Sequence, residues 1–278
     1  MIPPVVDSFV AGETPGAACD HVAELNRGGV SGILNLLGEH YETRGPADAD
    51  AEAYVELLEL LAERDLDGCV SVKPSQIGLE IGESAFRENL ARIVEAATEV
   101  GGFVWIDMED HTTTDATLDA FEEHTQATDG QVGVCVQANL RRTREDLERL
   151  ATLPGKVRFV KGAYDPPAEV AYTDTETVDE ALKECLAYAF SEFEDGIAVG
   201  SHDPQMIRYA RKRHREYGTP YEVQMLTGVR EDAQFRLAEK VPVYQYVPYG
   251  SKWFSYFYRR VRERRRNALF ALRAVAGW

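Results

Sequence analysis

Short runs of apolar, β-rich residues recur along the chain, and amphipathic stretches fill the intervals between them. The runs are Gly32–Leu37 (GILNLL), Gly68–Lys73 (GCVSVK), Phe103–Asp107 (FVWID), Gly133–Gln137 (GVCVQ), Val157–Lys161 (VRFVK), Gly196–Ser201 (GIAVGS), Tyr221–Met225 (YEVQM) and Val243–Val247 (VYQYV). Each is nearly continuous in apolar residues, the pattern of a strand covered on both faces, whereas a half-exposed strand alternates. Between them, Ala17–Asn26, Ala51–Leu61, Ala85–Val100, Ala116–His124, Leu147–Leu153 and Val178–Phe193 place apolar residues at i, i+3, i+4 spacing, which predicts helices. Asp203-Pro204 opens a further helix and Gly218 closes it.

Eight such strand–helix units in about 250 residues predict a distorted (βα)8 TIM-like barrel. A doubly wound dinucleotide fold would show G-x-G-x-x-G after its first strand, but Gly38-Glu39-His40 stands there. No Pro/Gly/Ser-rich linker divides the chain, so one domain is expected: an N-terminal flanking helix in 1–30, barrel strands in 31–250, and a C-terminal helix in 251–278.

Charge narrows the function. With 47 Asp+Glu against 30 Lys+Arg, the net charge of −17 is the wrong sign for binding nucleic acid. A hydrophobic content of 44% excludes a disordered acidic polymer. No apolar run approaches the roughly 20 residues that span a bilayer, and MIPPVVDSFV is not a signal peptide. A cytoplasmic protein is expected, its scattered acid suited to a high-salt, halophilic cytoplasm. The four cysteines, without C-x-x-C spacing, read as buried free thiols. The histidines show no ligand spacing, so no metal is expected.

A barrel concentrates function at the C-terminal ends of its strands. Polar residues lie there: Glu39 after strand one, Lys73 ending strand two, Asp107 and Glu109 strand three, and Gln137 strand four. Arg158 and Lys161 follow in strand five, Ser201-His202-Asp203 after strand six, Glu222 and Gln224 in strand seven, and Tyr246 in strand eight. Any one is most often a structural hydrogen-bonding group, but eight strands converging on one end predict a pocket. In the terminal helix Lys252–Ala274, Tyr256, Arg259 and Arg260 share one face, and paired arginines suit a carboxylate. Arg262, Arg264, Arg265 and Arg266 then form a basic stretch that fits solvated salt bridges, an acidic surface partner or a membrane surface.

These residues resemble the proline dehydrogenase family of flavoenzymes. The matching elements are LNLLGE (Leu34–Glu39), VSVKPSQIGL (Val70–Leu79), WIDMED (Trp105–Asp110), VQANLRRT (Val136–Thr143), RFVKGAYD (Arg158–Asp165), GSHDP (Gly200–Pro204), EVQMLTGV (Glu222–Val229) and YVPYGSKWFSYFYRR (Tyr246–Arg260). The resemblance implies a distorted barrel whose last helix covers FAD, and oxidation of L-proline to Δ1-pyrroline-5-carboxylate. By that resemblance, Lys73, Arg259 and Arg260 bind the proline carboxylate, with Tyr246 and Tyr256 walling the ring. Asp107 and Arg158 match the catalytic acid and the arginine near flavin N5. Met108, Gln137, Lys161, Gly162, Ala163, Ser201 and His202 contact the cofactor, with Ser201 standing where the family commonly has Thr. Glu39 is expected to gate the site by pairing with Arg259 or Arg260. A quinone is the expected electron acceptor, with peripheral membrane contact through the arginines beyond Arg260. The product passes to a separate pyrroline-5-carboxylate dehydrogenase. The alternatives are a flavin barrel acting on another imino acid such as hydroxyproline, a folate-reductase-like flavin barrel, a metal- or phosphate-dependent barrel, and a non-catalytic acidic protein.

Overall fold

The computed structural model describes residues 9–253, and in it eight parallel strands close into a barrel in sequence order. They are β1 (Ser31–Leu36), β2 (Gly68–Val72), β3 (Val104–Ile106), β4 (Val132–Gln137), β5 (Lys156–Val160), β6 (Ile197–Gly200), β7 (Tyr221–Leu226) and β8 (Val243–Tyr249). The barrel shuts where β1 pairs with β8, from Ser31 opposite Tyr244 to Leu36 opposite Tyr249. The expected fold class is therefore the observed one.

Among the described residues, α1 (Pro15–Arg27) precedes the first strand. The outer ring is α2 (Arg44–Glu63), α3 (Glu83–Glu99), α4 (Thr114–Ala127), α5 (Thr143–Leu150), α6 (Thr175–Glu192), α7 (Pro204–Tyr217) and α8 (Glu231–Ala238). Local chemistry sets several starts. Thr14 caps α1 by accepting from Ala17 N, Asp174 caps α6 by accepting from Thr177 N, and Asp203 caps α7 by accepting from Gln205 N. Gly218 ends α7 at φ +83°, the left-handed stop expected of that glycine.

Two helices begin a full turn or more before their apolar stripes predict. α2 starts at Arg44 rather than Ala51, because its first turns are held by polar contacts that periodicity does not register: Arg44 pairs with Asp48 on α2 and with Glu88 on α3. α5 starts at Thr143 rather than Leu147, with Arg142 paired to Asp146 within the first turn. α8 fully buries only Gln234, while Leu237 and Ala238 pack half-buried on the core, a stripe too short to stand out in sequence.

The strands alternate between two cores. Leu34, Val70, Val72, Val104, Ile106, Val134, Phe159, Val199 and Val223 face the helices and join the main core. Ile33, Cys69, Trp105 and Ala198 face inward, packed with Phe103, Tyr244 and Tyr246. This period of two, hidden in sequence because both faces are apolar, decides which side chains enter the barrel.

Trp105 forms the floor inside it. A Cβ at position 133 would lie 2.6 Å from two carbons of the Trp105 ring, so the glycine on neighbouring β4 makes room for the indole.

Candidate functional site

Above Trp105, Arg158 rises from β5 with its guanidinium carbon 4.5 Å from the indole centroid. The guanidinium is buried, and Asp107, just past β3, holds it: Arg158 Nη1 donates to Asp107 Oδ1 at 2.6 Å. Ser71 Oγ donates to the same oxygen at 2.7 Å, and Tyr246 OH from β8 donates to Oδ2 at 2.6 Å. Four strands thus converge on one carboxylate. Its negative charge keeps the arginine charged despite burial, and desolvation together with the carboxylate pushes the Tyr246 phenol well above its ordinary value.

These groups form one wall of a cavity of about 800 Å³ at the C-terminal mouth. The cavity brings together every expected site residue within the described range except Glu39: Lys73, Asp107, Met108, Gln137, Arg158, Lys161, Gly162, Ala163, Ser201, His202 and Tyr246 all line it. Tyr256, Arg259 and Arg260 lie outside the described residues, as do Arg262, Arg264, Arg265, Arg266 and the terminal helix.

Several assigned groups have specific partners. Lys73 Nζ lies 3.5 Å from Glu39 Oε2, so the carboxylate expected as a gate meets the lysine of the expected clamp. Gln137 Nε2 donates to Glu109 O at 2.8 Å, fixing its amide. His202 Nε2 accepts from Leu226 N at 3.2 Å, which puts the proton of the neutral ring on Nδ1. Lys161 is held by Asp179 at 2.5 Å and by Asp203 at 3.3 Å. Among the described lining residues, Lys73, Arg158, Lys161 and Arg230 face Asp107, Glu109 and Asp203, so this part of the pocket is nearly balanced in charge.

Some contributors escaped the sequence reading. Ser71 and Asn35 sit inside otherwise apolar strands and are not among the residues the sequence points to. Arg230 adopts a left-handed conformation at φ +52° and donates to His202 O, which no pattern marks. Glu109, at the end of strand three, has a structural partner. Its carboxylate accepts from Ser75 N at 2.7 Å and Ser75 Oγ at 2.9 Å, while burial pushes its carboxyl up.

The sequence model of the family described as proline dehydrogenase matches residues 18–273. The chain belongs to the proline dehydrogenase family. Proline dehydrogenase from Deinococcus radiodurans is 36% identical over 279 residues, covering 98% of this chain and 90% of the relative. Proline dehydrogenase 1 from Bacillus subtilis subsp. natto is 34% identical over 271 residues, covering 96% and 89%. Among solved structures, proline utilization A from Bdellovibrio bacteriovorus aligns with a TM-score of 0.85 at 22% identity, covering 94% of this chain and 32% of that one. Proline utilization A from Corynebacterium freiburgense aligns at 0.81 and 23%, covering 97% and 32%. At such identities these two likenesses concern the fold.

The proline dehydrogenase site suits a flavin by its donor set. Asn35 Oδ1 is a buried acceptor in the cavity wall with no hydrogen-bond partner among the described residues. Ser201, Lys161 and Arg230 line the same cavity, a hydroxyl and two cations whose chemistry fits a phosphate group. Among the described residues, no cluster of His, Cys, Asp and Glu could hold a metal ion. No helix there is long and apolar enough to cross a membrane.

Proposed function

We propose that the chain oxidises L-proline to Δ1-pyrroline-5-carboxylate with FAD as cofactor, the first step of proline breakdown. The observation that carries this reading is the Asp107–Arg158–Tyr246 cluster on its Trp105 floor, in a chain that matches the family over residues 18–273. FAD, when bound, accepts the hydride that leaves proline C5.

The chain's own residues supply the rest. Lys73, Arg259 and Arg260 hold the substrate carboxylate; a rigid five-membered ring fixed at one end has little freedom left at the other. Tyr246 and Tyr256 wall the ring and exclude water. The nearby cations also lower the affinity of the substrate amine for its proton, favouring the neutral amine that hydride loss requires. Asp107 orients Arg158 rather than acting as a free base, since both its oxygens already accept hydrogen bonds. Met108, Gln137, Lys161, Gly162, Ala163, Ser201 and His202 hold the cofactor, and Glu39 gates the mouth through its pairing with the clamp.

In the same reading the chain is a single domain, works in the cytoplasm, and passes electrons to a quinone with peripheral membrane contact through the arginines beyond Arg260. A separate dehydrogenase takes the product. Mass spectrometry of the purified protein incubated with L-proline and an artificial quinone tests the reaction: Δ1-pyrroline-5-carboxylate accumulates. Turnover of hydroxyproline in preference to proline would overturn the substrate assignment.

A further inference from the structure

On β7, two residues apart, Glu222 and Gln224 both turn into the barrel and are almost fully buried, with 6% and 4% exposure. Gln224 Oε1 accepts from Arg158 Nε at 2.5 Å, while Gln224 Nε2 donates to Glu222 Oε1 at 2.7 Å. The second oxygen of Glu222 meets Lys156 Nζ at 2.5 Å. That ammonium lies 5.3 Å from the Phe103 ring centroid and 5.5 Å from that of Tyr244. A file of hydrogen bonds therefore runs along the barrel interior from Lys156 through Glu222 and Gln224 to Arg158 and Asp107.

We propose that Glu222 is a positioning residue for Arg158, acting through the amide of Gln224. An amide side chain has a donor end and an acceptor end that exchange by a simple flip. Arg158 has only donors, so one of the two orientations serves it; the other sets an NH2 against its Nε–H. The Glu222 carboxylate, paired with Lys156, offers only acceptors and faces the opposite end of the same amide. It therefore selects the orientation that turns Oε1 toward Arg158. With Nε held there and Nη1 held by Asp107, the guanidinium plane is fixed at two points. Neither a guanidinium nor an amide readily relays protons, so this file transmits geometry.

The inference rests on the functional reading above, in which Arg158 faces the reacting centre. Its test is a rescue. Removing the acceptor in Glu222→Leu frees the amide to flip; it lowers kcat about ten-fold, the scale of one hydrogen bond to a charged group, with the proline KM little changed. The reduction potential of the bound flavin moves in the negative direction as the cation loosens, while flavin content stays normal. Adding Gln224→Glu to Glu222→Leu replaces the amide by a carboxylate whose two oxygens both accept. Orientation then no longer matters, and kcat returns most of the way. A merely structural role predicts no such recovery.

Should Glu222→Leu not fold, Glu222→Gln keeps the shape and exchanges a pure acceptor for an ambidentate amide. It shifts kcat and potential in the same directions by less. An unchanged kcat and potential in the variant that folds, or a double variant no better than Glu222→Leu, overturns the inference. A wild-type protein that binds no flavin overturns the functional reading and this inference with it. A wild type bleached by proline beside an unaltered Glu222→Leu overturns this inference alone.

Discussion

Replacing Asp107 with leucine removes the carboxylate paired with Arg158 and keeps a side chain of similar size. The Arg158 side chain is 6% exposed and that of Asp107 15%, so the pair is nearly shut off from water. Breaking such a pair from one side leaves an uncompensated buried cation, at a cost of about 3–5 kcal/mol. The hydrogen bonds from Ser71 and Tyr246 are lost as well, but both are hydroxyls that can turn to other acceptors and add little. For a chain of this size, about 4 kcal/mol lowers the melting temperature by roughly 8–16 °C.

Differential scanning calorimetry of the flavin-free protein measures the effect apart from cofactor binding. Two controls isolate its cause. Asp107→Asn retains an acceptor for Arg158 and Ser71 and can donate to the Tyr246 hydroxyl, yet leaves the same uncompensated buried cation, so it loses most of what Asp107→Leu loses. Asp107→Leu combined with Arg158→Met removes both charges and melts higher than Asp107→Leu alone. A melting temperature for Asp107→Leu within about 2 °C of wild type, equivalent to less than 1 kcal/mol, refutes the reasoning. So does a double variant less stable than the single one.

Gly133→Ala drives a methyl into the Trp105 ring and costs about 1–3 kcal/mol of overpacking, with a lowered kcat because Arg158 rests on that ring; calorimetry and turnover read the two effects. Burial pushes the Cys69 thiol up to about 12 and that of Cys135 up to about 11, so neither reacts with iodoacetamide at pH 8 in the native protein, whereas both react in urea. Because those folded values lie above the unfolded 9.0, stability is intact below pH 9 and falls as pH rises toward 11 to 12, which urea titrations follow directly. The net charge of −17 predicts a melting temperature that rises in concentrated KCl, and a flat or falling dependence contradicts the halophilic reading. Arg259→Met raises the proline KM at least ten-fold, about the loss of one charge-assisted contact, with flavin content unchanged; steady-state kinetics decides it.

The barrel was legible because parallel strands sandwiched between layers are apolar on both faces and stand out as runs. The same property hid the interior. In GILNLL and GCVSVK both faces are apolar, so nothing marks the side that Asn35 and Ser71 enter, whereas charge singles out Asp107 and Arg158. Polar anchoring hid the starts of α2 and α5, and the apolar stripe of α8 is too short to register. The pocket lining was legible from strand ends, yet its charge was not. Asp203 and Asp179 draw on Lys161, and Glu39 sits beside Lys73, which sequence paired with Arg259 or Arg260 instead.

The central claim is that this barrel holds a flavin that proline reduces. Anaerobic titration of the purified holoprotein with L-proline, followed by visible absorption, tests it directly. The account predicts an oxidised flavin spectrum that bleaches as proline is added and returns when a quinone is supplied. A protein purified with flavin whose spectrum does not change at saturating proline contradicts it.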